Sequence, residues 1–296
     1  YMGEIGEITG RHYLTFDYSG APDAENIIIA MGSVTETIKE TIDYLADKEG
    51  RKLGVIAVHL YRPFSAKYFM RVMPKSVKRV AVLDRTKEPG ALGEPLYMDV
   101  KDALYGSDIM VVGGRYGLSS KDTTPAQIIS VFDNLEQKEP KNGFTIGIVD
   151  EVTLKSLPMN GLGSDGTGGA NKNTIKIIGD HTLKYCQGYF DYDSKKSGGF
   201  TCSHLRFGDQ PIHAPYLVST PDFVACHVPS YLYKYDVLKG IKPGGTLLLN
   251  SMWSVEETFN HIPDFCKREI AQKKLKLYII NATKIAAEIG LGGRTN

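Results

Sequence analysis

The sequence lacks a long apolar run, a surplus of either charge, and any closely spaced pair of cysteines. No stretch approaches the roughly 18–20 apolar residues of a membrane-spanning helix, so no such helix is expected within these residues. Lysine and arginine total 35 against 34 acidic residues, a net charge of +1. Such a balance creates no bulk attraction to nucleic acid or anionic lipid, so any anion site must be local. The four cysteines, Cys186, Cys202, Cys226 and Cys266, are far apart and form no C-x-x-C pair. That spacing argues against zinc or iron–sulfur ligation by this chain alone and against a disulfide framework. Four reduced, buried thiols are the expectation. No P-loop, no H-E-x-x-H and no Ser/His/Asp or Cys/His order in a supporting context occurs. His204, His213 and His227 have no ligand spacing and read as structural or surface residues. Trp253 reads equally well as core or as contact. No signal peptide is present. The chain opens on YMGEIGEITGR and closes on GLGGRTN, and both ends read as cuts through a longer polypeptide.

What is present is alternation. NIIIAMG (26–32) is an apolar run ending in glycine, as a buried parallel strand does. SVTETIKETIDYLADKEG (33–50) follows as a helix. Ser33 is placed to cap it, Val34, Ile38, Ile42 and Leu45 lie on one face, and Gly50 stops it. The pattern repeats as strand 53–61, helix 63–73, strand 77–85, helix 93–106, strand 108–117, helix 124–138 and strand 144–150. Five strands alternating with helices imply a mainly parallel sheet with helices on both faces. Ligands and partners meet the carboxyl ends of such strands. The most pointed segment there is DRTKEPGALGEP, which reads either as a solvated loop or as a fixed crossover that docks another domain.

The rhythm changes after Asp150. GLGSDG (161–166) satisfies G-x-G-x-x-G by letter, but LKSLPMN before it is a poor strand, so the dinucleotide-binding context fails. GSDGTGGANKN (163–173) carries a different chemistry. Thr167 or Asp165 can cap a helix starting near Gly169 and Ala170, with Asn171, Lys172 and Asn173 in its first turn. Gly163, Gly166, Gly168 and Gly169 remove side chains from the approach. Unpaired N–H groups, a partial positive charge and the Lys172 ammonium then make a local anion site. Asp165 would repel a close phosphate and reads better as a cap or as an acceptor for a hydroxyl or amide. The alternative is a flexible capped turn. Residues 185–208 alternate aromatic and polar side chains on both sides of DSKKSGG, a β-hairpin with Ser194, Lys195 and Lys196 at its tip. That tip is either solvated or closes on the same anion. Further strands are read at 221–227, 246–251 and 276–282, with helices at 230–239, 255–273 and 283–289.

Seven segments together resemble pyruvate:ferredoxin (flavodoxin) oxidoreductase: FDYSGAPDAENIIIAMGSV, LYRPFSAKYF, AVLDRTKEPGALGEPLYMDV, VVGGRYGLSSKDTTPAQ, GSDGTGGANKNTIKIIGD, GYFDYDSKKSGGFTCSHLRFG and AEIGLGGRTN. The resemblance runs nearly end to end. It implies an α/β fold in two domains: a five-stranded, mainly parallel transketolase C-terminal-like domain (1–150), then a mixed-sheet gamma-type domain (151–296). It implies a parent enzyme that decarboxylates pyruvate on thiamine diphosphate with Mg2+. The parent passes electrons singly through [4Fe–4S] clusters to ferredoxin or flavodoxin and hands the acetyl group to coenzyme A. The thiamine and cluster sites are implied elsewhere in the parent, so this piece carries no catalytic residue or metal of its own. It is implied to recruit coenzyme A through residues 163–172 and the Ser194–Lys196 tip, and to dock other domains of the same polypeptide. A homodimeric parent, cytoplasmic or in an anaerobic organelle, is implied. Gly168 departs from the family pattern, which has a branched residue there, and loosens the loop. Two alternatives stay open: a relative acting on another 2-oxoacid, or a purely structural scaffold.

Overall fold

The computed structural model describes residues 1–118, 121–148, 156–157, 168–192 and 201–290. The chain divides into two compact units. The first comprises Tyr1–Asn160 with His213–Tyr216, and the second comprises Gly161–Ile212 with Leu217–Asn296.

The first unit runs α1 (Met2–Thr9), β1 (Phe16–Gly20), β2 (Asn26–Met31), α2 (Val34–Glu49), β3 (Leu53–Val58), α3 (Ala66–Val72), β4 (Arg79–Asp84), α4 (Pro95–Ala103), β5 (Met110–Arg115), α5 (Pro125–Glu136) and β6 (Phe144–Thr145). The strands form one sheet in the order β1-β3-β2-β4-β5-β6. All neighbouring pairs are parallel except β1–β3, which is antiparallel. The sheet thus has six strands rather than five. The added edge strand, FDYSG, is short, and only Phe16 in it is buried, so its pattern carries little apolar signal.

Alternation along the strands sorts the core into two layers. Ile28, Ala30, Val55, Ala81 and Leu83 meet Ile38, Ile42 and Leu45 of α2 and Ile128, Val131 and Leu135 of α5. Ile27, Ile29, Ile56, Val80 and Val82 meet Phe69 of α3 and Leu96, Tyr97 and Val100 of α4. Successive side chains point to opposite faces, so a strand buried at every position needs helices on both sides. β3 is buried throughout, as LGVIAV requires.

Local details correct the sequence reading in three places. Ser33 occupies the N-cap of α2, but its side chain makes no cap bond; Thr35 Oγ1 instead donates to the Gly32 carbonyl, and Glu36 pairs with Lys39. Of the strand expected over 144–150, Phe144–Thr145 pairs in the sheet, Gly147 (φ 77°) turns the chain, and 149–150 lie outside the described residues. Helix 93–106 begins at Pro95, where the missing N–H costs nothing.

The second unit runs α6 (Gly168–His181), β7 (Tyr185–Tyr192), β8 (Thr201–Gly208), β9 (Phe223–Cys226), α7 (Tyr231–Lys234), β10 (Thr246–Asn250), α8 (Val255–His261), α9 (Asp264–Gln272), β11 (Lys276–Ile280) and α10 (Ala282–Glu288). Among the described residues its strands form an antiparallel pair, β7–β8, and a parallel sheet ordered β11-β10-β9. The helix expected over 255–273 is two helices. Pro263 lacks the N–H needed to continue α8, and Ile262 before it is extended (ψ 133°). The helix expected over 230–239 is the single turn of α7. No described helix is long and apolar enough to cross a membrane.

Candidate functional site

α6 begins at Gly168, one residue earlier than the glycine spacing suggests, so its first turn is Gly168–Asn171 and Lys172 opens the second. Lys172 and Asn173 are therefore not in the first turn. Glycines at the first two positions are tolerable because N–H groups there have no intrahelical partner in any case. The helix has 14 residues and no acidic side chain in its first turn. Its dipole thus meets an approaching anion without a carboxylate from that turn. Gly163, Asp165, Gly166 and Thr167 lie outside the described residues, as do Ser194, Lys195 and Lys196.

Chain geometry fixes which way α6 runs over the hairpin. α6 packs on β7 and β8. Gly188 makes room for this contact: a Cβ there would meet Ile175 Cγ1 at 3.5 Å and the Phe190 ring at 3.2 Å. From Ile175 to the end of α6 is about 9 Å, and from the start of β7 to Gly188 is about 10 Å. The link from His181 to Tyr185 can reach at most about 14 Å. A parallel arrangement would require it to cover about 19 Å along the axis, so α6 and β7 are antiparallel. The start of α6 accordingly points toward the end where Tyr192 and Thr201 pair. That is the end from which the chain leaves β7 and re-enters β8.

Several histidines and cysteines of this unit have structural settings. His204 is buried, and its Nδ1 accepts from the Val218 N–H at 3.0 Å. Burial lowers the pKa of His227. His213, which belongs with the first unit, lies 3.3 Å from Glu36. Cys226 and Cys266 are buried, and desolvation pushes both thiols up to about 11. Cys186 is only half-buried, which corrects the expectation that all four thiols are enclosed. Trp253 is not deep core: it stacks on His261 with ring centroids 4.0 Å apart and planes 7° from parallel. The Ser254–Glu257 capping box holds the turn that carries it.

The first unit presents a clamped loop at the carboxyl end of β4. Both Asp84 oxygens accept from α4, one from the Leu96 N–H and one from the Tyr97 N–H, each at 3.0 Å. Burial raises the Asp84 carboxyl despite these bonds. Arg115 pairs with the buried Glu94 at 2.5 Å, and Arg85 donates to the Gly117 carbonyl. The ends of DRTKEPGALGEP are thereby fixed, while its middle stands in solvent with Leu92 95% exposed. Nearby, Arg62 pairs with Asp99 at 2.7 Å, and desolvation with the Asp99 charge raises Tyr61 to about 12. A hollow of about 280 Å3 under Met2, Ile5, Tyr13 and His59 had no sequence signal, because its lining comes from segments that are adjacent only in space. No group of three or more His, Cys, Asp and Glu side chains able to hold a metal occurs among the described residues.

Residues 156–296 match the family profile described as pyruvate ferredoxin/flavodoxin oxidoreductase, and residues 24–128 match pyruvate:ferredoxin oxidoreductase core domain II. The curated proteins to which the chain is similar over its whole length include the following. The chain is 58% identical to pyruvate:ferredoxin oxidoreductase of Moorella thermoacetica, of which it covers 27%. It is 56% identical to pyruvate-flavodoxin oxidoreductase of Enterobacter agglomerans, again 27% of that protein. It is 46% identical to the mitochondrial pyruvate dehydrogenase [NADP(+)] of Euglena gracilis, of which it covers 18%. The chain thus spans about a quarter or less of the length of these curated relatives.

Proposed function

The chain belongs to the pyruvate:ferredoxin/flavodoxin oxidoreductase family, and from that premise we propose that it is the coenzyme A-recruiting and domain-docking part of such an enzyme. The whole enzyme oxidatively decarboxylates pyruvate to acetyl-coenzyme A and passes single electrons to ferredoxin or flavodoxin. Thiamine diphosphate, Mg2+ and [4Fe–4S] clusters serve that chemistry from other domains of the same polypeptide, and the parent works as a homodimer in the cytoplasm or an anaerobic organelle. Residues 1–150 act as the transketolase C-terminal-like domain and residues 151–296 as the gamma-type domain. The isolated chain binds without turning over. The relatives matched over this whole chain carry ferredoxin, flavodoxin or NADP+ in their names, so the choice of electron acceptor lies outside these residues.

The observation that carries the coenzyme A reading is the start of α6. The first N–H groups of an α-helix have no intrahelical partner, and with no acidic side chain in the first turn those of α6 suit a phosphate of a polyanionic ligand. Lys172 adds a full charge, and the antiparallel packing on β7–β8 supports a role for Ser194, Lys195 and Lys196 in closing the same site. Asp165 and Thr167 cap the helix or take a hydroxyl, while Gly163, Gly166, Gly168, Gly169, Ala170 and Asn171 supply close backbone approach. Coenzyme A, when bound, supplies the thiol that accepts the acetyl group, and this chain's residues hold and orient its anionic end.

Calorimetric titration of coenzyme A into the 296-residue chain tests the reading. Saturable binding is expected, weakened by added salt and weakened about tenfold by Lys172→Ala, the loss of one charge-assisted hydrogen bond. No heat at millimolar coenzyme A would favour a scaffold role instead, and a Lys172→Ala chain binding as well as wild type would remove the loop from the site.

A further inference from the structure

Among the described residues, the parallel sheet of the second unit is packed on one face and largely open on the other. Register puts Leu247 beside Val224 and Leu277, and Leu249 beside Cys226 and Ile279. That face packs on Leu232 of α7 and on Cys266 and Ile270 of α9. The opposite face carries Phe223, Ala225, Leu248, Tyr278 and Ile280, with Thr246, Lys276 and Asn250 at its corners. Phe223 and Tyr278 are 54% and 56% exposed, and Ile280 is 38% exposed. Leu248 sits between Ala225 and Tyr278 in register, and with Phe223 and Ile280 at either end these side chains form an apolar band across three strands, flanked by Thr246, Lys276 and Asn250. All-parallel sheets occur almost only with both faces covered, because the crossover connections and the core need both sides dry.

The size of the surface weighs against a free second copy. Three strands of four or five residues span about 14 by 17 Å, roughly 240 Å2. A free second copy would need about 800 Å2 per partner for a stable contact. A covalently linked domain needs far less, because its effective concentration is already high. Two of the curated relatives, from Moorella thermoacetica and Enterobacter agglomerans, are nearly four times the length matched here, the chain covering 27% of each. We propose that the Phe223–Leu248–Tyr278 face is a docking surface for another domain of the same longer polypeptide. The inference rests on the family reading above, but its test does not involve coenzyme A, so either can fail alone.

Hydroxyl-radical footprinting of the 296-residue chain and of the full-length polypeptide that carries it, read by mass spectrometry at Phe223 and Tyr278, decides the matter. Both residues should label readily in the isolated chain and be protected several-fold in the full-length protein. Equal labelling in the two forms would overturn the proposal. Protection already present in the isolated chain would overturn it too: a sedimenting dimer would assign the face to a second copy, and a monomer would assign it to the chain's own segments.

Discussion

The two parallel sheets of this chain use the same strand chemistry to different ends. In the first unit, helices α2 and α5 close one face and α3 and α4 the other, so β2, β3 and β4 are buried at nearly every position. In the second unit, β11 alternates between exposed and half-buried, and β10 between buried and half-buried. The difference teaches where each unit's stability comes from. The first holds its own core, whereas the second, among the described residues, keeps Phe223 and Tyr278 more than half exposed.

Mutations can sharpen that contrast. Ile56→Ala, at a fully buried position in the first sheet, should cost about 3–4 kcal/mol in urea denaturation, the transfer loss plus an unfilled cavity. Tyr278→Ala on the open face of the second sheet should cost under about 1 kcal/mol in the isolated chain. Equal costs would erase the distinction.

Asp84→Ala should cost about 3 kcal/mol, because two α4 N–H groups lose a charged acceptor in a buried place. The same carboxyl gives a pH test. Its pKa is raised by burial in the folded state, so the folded protein binds more protons than the unfolded chain between the unfolded value and the raised one. Stability from this group therefore falls as pH rises through that window. The stability of wild type relative to Asp84→Asn should accordingly decline from acidic pH upward. A constant or widening difference would show that the carboxyl is not held up by burial.

The smallest effect concerns thiols. Cys226 and Cys266, pushed up to about 11 and buried, should resist alkylation near pH 8 while the half-buried Cys186 reacts. Fast alkylation of Cys226 in the folded chain would mean that the second unit's core opens readily.

Much of this architecture is legible in the residues. Runs such as NIIIAM and RVAVLD are apolar at both parities and stop at a glycine or a charge, which only a strand buried on both faces requires. The Ile38, Ile42 and Leu45 stripe located α2's inner face correctly. β1 was not legible, since an edge strand needs only one anchored face and FDYSG shows one buried side chain. The break between α8 and α9 was available from Pro263, but the flanking apolar periodicity masked it. At the candidate site, the helix start was readable to within a residue or two from glycine and capping chemistry. The antiparallel lie of α6 on the hairpin was not readable, because it depends on the contact between Ile175 and Gly188. The open sheet face was invisible for a similar reason: β10 and β11 read as ordinary buried strands until the side on which the helices lie is known.

The central claim is that backbone amides at the start of α6 hold an anionic part of coenzyme A. Proton–nitrogen correlation spectra of the isotopically labelled chain, followed through a coenzyme A titration, test it most directly. The amides of Gly168, Gly169 and Ala170 should shift and saturate in step with the calorimetric isotherm. Coenzyme A binding that leaves those three amides unmoved would contradict the account.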